Sequence, residues 1–429
     1  MMRIWKCMLC TLVLAVILTG CGKRNFPMED YVRENPQNDM GSIMKTETGF
    51  YYNAGPGQPL SLHYYDMESG QDIFLCSKPE CQHDGNEFCT ATNSQYVVNS
   101  TCLYGGRIYI AVVKAVDAQY SFQLLSAAPD GTELSEVVTY LAVNDTSMIP
   151  ILGGMSRGMM IHRGKAVLSY QLRNKDNMDV GINGTVIYDL KTGEMDSLTE
   201  YTLEESMDGQ NRFCGYGDYI YYNTLVGHKT TLSRYCLTDG SIEDLELEIN
   251  YSGVYTVMDE DTIYYTRNSK KGSLYEYHHS TGKTIEHQKV FVREETFETV
   301  EGNLITAESM YEVSDLETDG NYLFAGEDVR MHHVNVEVLE KSVLVAGTFE
   351  NSSILHVFDA TLNEVTGVVM GTSQICGYRD WYTVNILDNE VYVRTPRSMY
   401  RCSMDSFLSG EPEYEELFSF AIQYGSLQN

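Results

Sequence analysis

Along most of this chain, short apolar and aromatic runs alternate with polar stretches punctuated by Gly, Asp and Asn. That is the pattern of half-buried strands joined by turns. One pairing recurs: an apolar-aromatic strand, a polar loop, then a second strand, often Leu-x-x-Tyr-Asp in form, ending in a Thr-Gly or Asp-Gly turn. Phe50-Tyr51-Tyr52 leads to Leu62 through Asp66 and then Ser69-Gly70. Ile108 to Ile110 leads to Phe122 through Leu125 and Asp130-Gly131, and Ala166 to Leu168 leads to Val186 through Asp189 and Thr192-Gly193. Tyr219 to Tyr222 precedes Leu232 to Tyr235 and Asp239-Gly240, and Thr262 to Tyr265 precedes Leu274 to Tyr277 and Thr281-Gly282. Two weaker copies pair Val343 to Val345 with Ile354 to Asp359, and Val391 to Val393 with Met399 to Asp405. First strands begin on average about 57 residues apart, whereas four-stranded propeller blades repeat at about 40 to 50. The excess predicts long loops and one insertion, placed at residues 291–329, which are acidic and fit the pattern poorly. The expectation is an all-β chain with a single β-propeller over residues 44–425, of seven blades, with six or eight as the neighbouring counts. A pair of β-sandwiches is the alternative.

The first residues follow another rule. Arg3 and Lys6 precede an uncharged apolar run from Cys7 to Leu18. At about 1.5 Å per residue this run is too short for a hydrocarbon core of about 30 Å and reads as the core of a signal peptide. Leu18-Thr19-Gly20-Cys21 resembles the lipobox of bacterial lipoproteins. The resemblance implies that residues 1–20 are removed and that Cys21 is the lipid attachment site. The chain is then held at the outer face of the cytoplasmic membrane by acyl chains. Residues 21–43 are polar, carry two prolines and predict a flexible tether.

Composition narrows the partners. The net charge of −30 repels phosphate backbones, so no nucleic-acid partner is expected. Tyrosine, at 32 residues, suits pleated surfaces and wet apolar interfaces. Of 11 cysteines, eight remain after the signal peptide and Cys21 are set aside: Cys76, Cys81, Cys89, Cys102, Cys214, Cys236, Cys376 and Cys402.

The lipobox, the repeated Ile-Tyr-Tyr and Leu-Tyr-x-Tyr-Asp strands, and the segment Cys76-Ser-Lys-Pro-Glu-Cys81-Gln-His83 resemble β-propeller lipoproteins of gut-dwelling Gram-positive anaerobes. Those are similar in turn to low-density-lipoprotein-receptor-like and TolB-like propellers. The resemblance implies architecture and address and brings no activity with it. The strict Tyr-Trp-Thr-Asp tetrad is missing.

Cys76, Cys81, His83 and Cys89 form the densest chemical cluster. Disulfides are the preferred reading, with Cys102 as a fourth partner. The alternative is zinc, since three thiolates and an imidazole make a tetrahedral donor set. On the preferred reading no cofactor is expected. Gly154-Met-Ser156-Arg-Gly158 has the form of a nucleophile elbow, but no helix follows it, and His162 is too near in sequence for a triad base. The pairs His278-His279 and His332-His333 fall on strands, where neighbours point to opposite faces and cannot share a metal. Asp259-Glu260-Asp261 and Glu413, Glu415 and Glu416 read as solvated turns and surface. The favoured function is a binding module for a glycan, a peptide or an envelope protein. The alternative is a polysaccharide hydrolase or lyase on the same scaffold.

Overall fold

The computed structural model describes residues 43–419 apart from 54–58, 86–88, 118, 152–157, 203–211, 227–228, 251–252, 269, 288–291, 299–303, 311, 320–321, 329–334, 339–352, 360, 370–374, 376–382, 388 and 396–397. Cys21, Ser156, the His332-His333 pair, Val343 to Val345 and Cys376 lie outside the described residues.

Most strands follow one another as antiparallel meanders in sequence order, pairing with a neighbour in the chain. Five separate sheets have the form of propeller blades. They are Met159–His162 through Met195–Thr202, Phe213–Tyr216 through Ile242–Ile249, Tyr255–Val257 through Lys283–His287, Glu312–Asp319 through Glu364–Val369, and Thr383–Leu387 through Glu415–Ser419. Before them comes one eight-stranded sheet running from Ile43–Lys45 to Ser135–Val143. It is two meanders joined where Leu60 and Ser61 pair with Asn93 and Thr92. The one helix among the described residues is Met404–Leu408, capped by Ser403.

Within a meander the second strand is buried on both faces, as Ile108 to Val113 are, because neighbouring sheets cover it from either side. The last strand is more exposed: all of Gln71–Phe74 and half of Ile242–Ile249 face solvent. Leading strands lean on one another in succession, Thr92–Tyr104 on Met159–His162, then Phe213–Tyr216, Tyr255–Val257 and Glu312–Asp319. The arrangement is propeller-like. The core is correspondingly divided into clusters that lie between consecutive meanders. Leu62 packs with Ile110, Phe122 with Leu168, Met160 with Ile220, Leu232 with Ile263, Tyr264 with Leu323, and Phe324 with Val391. A seventh cluster joins Ile43, Phe50 and Tyr52 to Tyr392, Met399 and Phe418, so the last sheet packs against the first.

The sequence reading needs one correction of register. The strand that pairs with Ser353–Asp359 is Tyr322–Asp328, with Glu312–Asp319 beyond it. Both fall inside the stretch read as an insertion. Its acidity misled: Glu312–Asp319 is an acidic segment that nevertheless forms a strand and buries Leu316. The interruption is instead a three-stranded sheet of Val292–Glu298, Leu304–Met310 and Asn335–Val338.

Aspartates close the turns after the third strands. Asp66 accepts from the Ser69 N–H at 2.7 Å, Asp239 from Ser241 at 2.9 Å, and Asp189 from Lys191 and Thr192 at 2.7 and 3.0 Å. Burial opposes ionisation of Asp189, yet the Lys165 ammonium at 2.6 Å and the two N–H groups hold its carboxyl below the usual Asp range. The Ser69 and Ser241 donors do the same for Asp66 and Asp239. Since these folded-state values are depressed, the stability they contribute is complete above the ordinary Asp pKa of about 3.9 and drains away as pH falls through the lower folded values. Urea midpoints measured from pH 6 to pH 2 should therefore fall steeply below about pH 4, and Asp189→Asn should flatten that fall.

Gly131 fixes where the next feature begins. Its φ is +75°, and a Cβ on it would stand 2.0 Å from the Leu75 carbonyl oxygen. Gly131→Ala should cost more than about 1 kcal/mol, read as a lower urea midpoint.

Candidate metal centre

The site lies on the connection between the two meanders of the eight-stranded sheet. Strand Gln71–Phe74 ends at Leu75, whose N–H donates to the Leu62 carbonyl at 2.9 Å, and the chain leaves the sheet at Cys76. A turn at Lys78 brings Cys81 back, its N–H donating to the Lys78 carbonyl at 3.3 Å. His83 takes a left-handed conformation, φ 51°, and Gly85 follows at φ 80°. The chain rejoins the next strand through three bonds. Gly85 N–H donates to Thr92 Oγ1 at 3.2 Å, Ser94 N–H to the Gly85 carbonyl at 2.9 Å, and Leu62 N–H to the Ala91 carbonyl at 2.8 Å.

This path gathers the sulfurs of Cys76, Cys81 and Cys89 and a nitrogen of His83 so that all four atoms lie within 4.8 Å of one another. Cys89 is buried, and the other three are half-buried. His83 Nδ1 stands 3.5 Å from Cys89 Sγ. A tetrahedral zinc ion with Zn–S of about 2.3 Å and Zn–N of about 2.0–2.1 Å separates sulfur from nitrogen by about 3.5 Å. The cluster could therefore hold a metal such as zinc, and its donor chemistry suits a borderline-soft divalent ion. Cys76, Cys81 and Cys89 are free thiols here, so the disulfide staple preferred from the sequence is not formed. The four donor atoms crowd within 4.8 Å of one another, whereas a disulfide would draw two of the sulfurs to about 2.05 Å. Cys102, read as a fourth staple partner, packs in the apolar core with Tyr109 and Phe122 instead.

Electrostatics distinguishes the thiols. Burial works against ionisation of Cys76, but the Lys78 N–H, the Thr90 hydroxyl and N–H, and the Cys81 thiol together bring it down to about 6. The His83 N–H favours the Cys81 thiolate, yet burial and the crowding sulfurs of Cys89 and Cys76 push Cys81 up. Thr92 N–H donates to Cys89 Sγ at 3.2 Å. Backbone donors to sulfur hold a thiolate ligand in place and offset its charge.

A second cluster, not visible in the sequence, stands behind His83. Ser61 Oγ and His63 Nε2 are 2.9 Å apart, and His63 Nδ1 is 3.2 Å from Asp72 Oδ1. The connectivity is that of an acyl-transfer relay. However, the Ser61 N–H donates to Asn53 Oδ1 at 2.7 Å and the Leu62 N–H to Ala91, so neither backbone donor at the hydroxyl is available to an oxyanion. What the relay does is fix a ring stack. His63 lies between Tyr52 and Phe74, at centroid distances of 5.0 and 4.3 Å, and Phe74 stacks on His83 at 4.6 Å. Alternation along Leu60-Ser61-Leu62-His63 puts Ser61 and His63 on one face. Asp72 joins them only through the pairing of Tyr65 with Asp72, which single-strand patterning does not give.

The remaining candidates disperse. His162 is fully buried and its Nε2–H donates to the Gly217 carbonyl at 2.8 Å, a contact between sheets. His278, the last residue of strand Lys270–His278, meets Asp261 at 3.3 Å and Glu276 at 2.9 Å, while His279 lies in the turn that follows, not on the strand expected, and meets Arg234 and Tyr277. Glu415 pairs with Arg401 at 2.6 Å, and Glu416 accepts from Ser398 at 2.8 Å.

No protein family matches the chain, and no curated protein does. Solved structures with a similar course include TolB from Acinetobacter baumannii, at 12% identity and TM-score 0.34 over 87% of this chain and 78% of that one. Others are an oligogalacturonate lyase in complex with manganese, at 10% and 0.40 over 83% of each chain, and an acylaminoacyl peptidase, at 11% and 0.45 over 90% of this chain. The chain spans about half the length of that peptidase, 54%. The propeller-like architecture accordingly rests on the strand pairing and inter-sheet cores described above.

Proposed function

We propose that this chain is an extracytoplasmic binding module. It is a seven-bladed propeller, tethered by lipid on Cys21 to the outer face of the cytoplasmic membrane, with a zinc-clamped loop between its first two blades. Seven apolar clusters among the described residues, each between consecutive meanders, support the blade count, with the eight-stranded sheet contributing two blades. The observation that carries the reading is the donor set at Cys76, Cys81, His83 and Cys89. Three sulfurs and one nitrogen fill a tetrahedral shell and leave no position for water or substrate, which is the coordination of a structural zinc and not of a catalytic one. A zinc there secures the scaffold and leaves recognition to the loops. The captured partner is a glycan, a peptide or an envelope protein, held by the loops that join the strands. The acidic surface argues against a nucleic-acid partner.

A polysaccharide hydrolase or lyase would need a carboxylate pair shielded from solvent. Among the described residues no Asp or Glu is buried. The test is to immobilise the zinc-loaded chain and probe it with glycan and peptide arrays. Retention of one ligand class without cleavage is expected. Release of new reducing ends or unsaturated products would replace the binding reading by the enzymatic one, and retention of nothing would contradict it.

A further inference from the structure

We propose that the Cys76–Cys81–His83–Cys89 site is a peroxide-responsive clamp, which holds zinc when reduced and releases it when Cys76 and Cys81 join in a disulfide. This deepens the zinc reading above and rests on it. The site combines features that an inert structural zinc lacks. Cys76 and Cys81 are both half-buried, within reach of a small oxidant, while Cys89 is buried and held by the Thr92 N–H. The Cys76 and Cys81 sulfurs lie within 4.8 Å of each other, so the two reachable sulfurs are neighbours. Only four residues separate them in a segment that turns back on itself at Lys78, and the loop they close belongs to no sheet. Joining them requires local movement of a turn and leaves the strands on either side in place.

The chemistry balances with a hydroperoxide as oxidant. The Cys76 thiolate attacks one peroxide oxygen, the O–O bond breaks, an S–OH bond forms and hydroxide leaves. The Cys81 thiolate then attacks the Cys76 sulfur, the S–S bond forms and a second hydroxide leaves; two protons from solvent turn both hydroxides into water. Two electrons pass from the sulfurs to the peroxide. The zinc ion keeps only Cys89 and His83, half its shell, and dissociates. With it goes the tie between the end of strand Gln71–Phe74 and the start of strand Thr92–Tyr104. A thiol reductant and zinc restore the clamp.

The test takes the full-length chain in detergent, loaded with zinc under reducing conditions and then freed of reductant. Hydrogen peroxide is added while a chromogenic chelator reports zinc and peptide mass mapping reports the disulfide. Release of about one zinc per chain with a Cys76–Cys81 bridge, reversed by dithiothreitol and zinc, is expected. Cys236→Ser, which alters a thiol outside the site, should behave as the parent. Cys81→His keeps four donors but no second reachable thiol, and its dithiothreitol-reversible release should fall at least about tenfold. Zinc retained under excess peroxide overturns the proposal and leaves the structural-zinc reading standing, as does release from Cys81→His equal to the parent. A chain that takes up no zinc at the outset overturns both.

Discussion

Replacing Cys89 by Ser is expected to empty the metal site and loosen the junction of the first two meanders. Cys89 is 2% exposed, and its sulfur both accepts the Thr92 N–H and faces His83. Removing even an outer partner of a metal ligand typically costs 10- to 100-fold in affinity; removing the buried ligand itself should cost more than about 100-fold. Structural zinc contributes about 10–16 kcal/mol of apparent binding free energy in small zinc-dependent peptides. This chain has seven apolar cores besides, so the loss should be local. Metal analysis should find zinc falling from about one per chain to none. Hydrogen exchange should quicken over residues 75–94 and stay unchanged in strand Lys165–Asn174. Zinc retained at the parent level by Cys89→Ser would remove this residue from the site.

Phe50→Ala should produce the largest change in global stability. Phe50 is 1% exposed and sits in the seventh core, its ring 5.6 Å from Tyr392 and 5.8 Å from Phe418. Truncating a buried Phe costs about 3–5 kcal/mol through lost transfer free energy and the cavity left behind. Here it falls at the contact between the first and last sheets, where among the described residues no strand ladder runs between the two sheets. Equilibrium urea unfolding should show a midpoint well below the parent's. Gln71→Ala, on an exposed outer strand, should change stability by less than about 0.5 kcal/mol. Equal effects of the two would mean that the ring is not closed through this cluster.

How far the sequence reaches can be seen in particular elements. The first-strand positions at Phe50, Ile108, Ala166, Tyr219, Thr262 and Val391 coincide with strands, because each is a short apolar run buried on both faces and bounded by turn residues. The sixth copy failed because Tyr322–Asp328 lies beside the acidic strand Glu312–Asp319. A strand rich in carboxylates looks like a loop when only composition is read. Joining of the first two meanders into one sheet was also hidden, since Leu60–Asn93 pairing depends on how the chain returns after Cys89. For the site, the residue types were legible and their state was not. Cys-x4-Cys-x-His-x5-Cys fits either a staple or a metal, and only the left-handed turn at His83 and the return of Cys89 to Thr92 decide where the four donors point.

The most direct measurement is X-ray absorption at the zinc edge on the reduced, zinc-loaded chain. The account expects three sulfurs at about 2.3 Å and one nitrogen at about 2.0–2.1 Å, with no further oxygen. A shell of oxygen and nitrogen alone, or a fifth ligand from solvent, would contradict a closed clamp at Cys76, Cys81, His83 and Cys89.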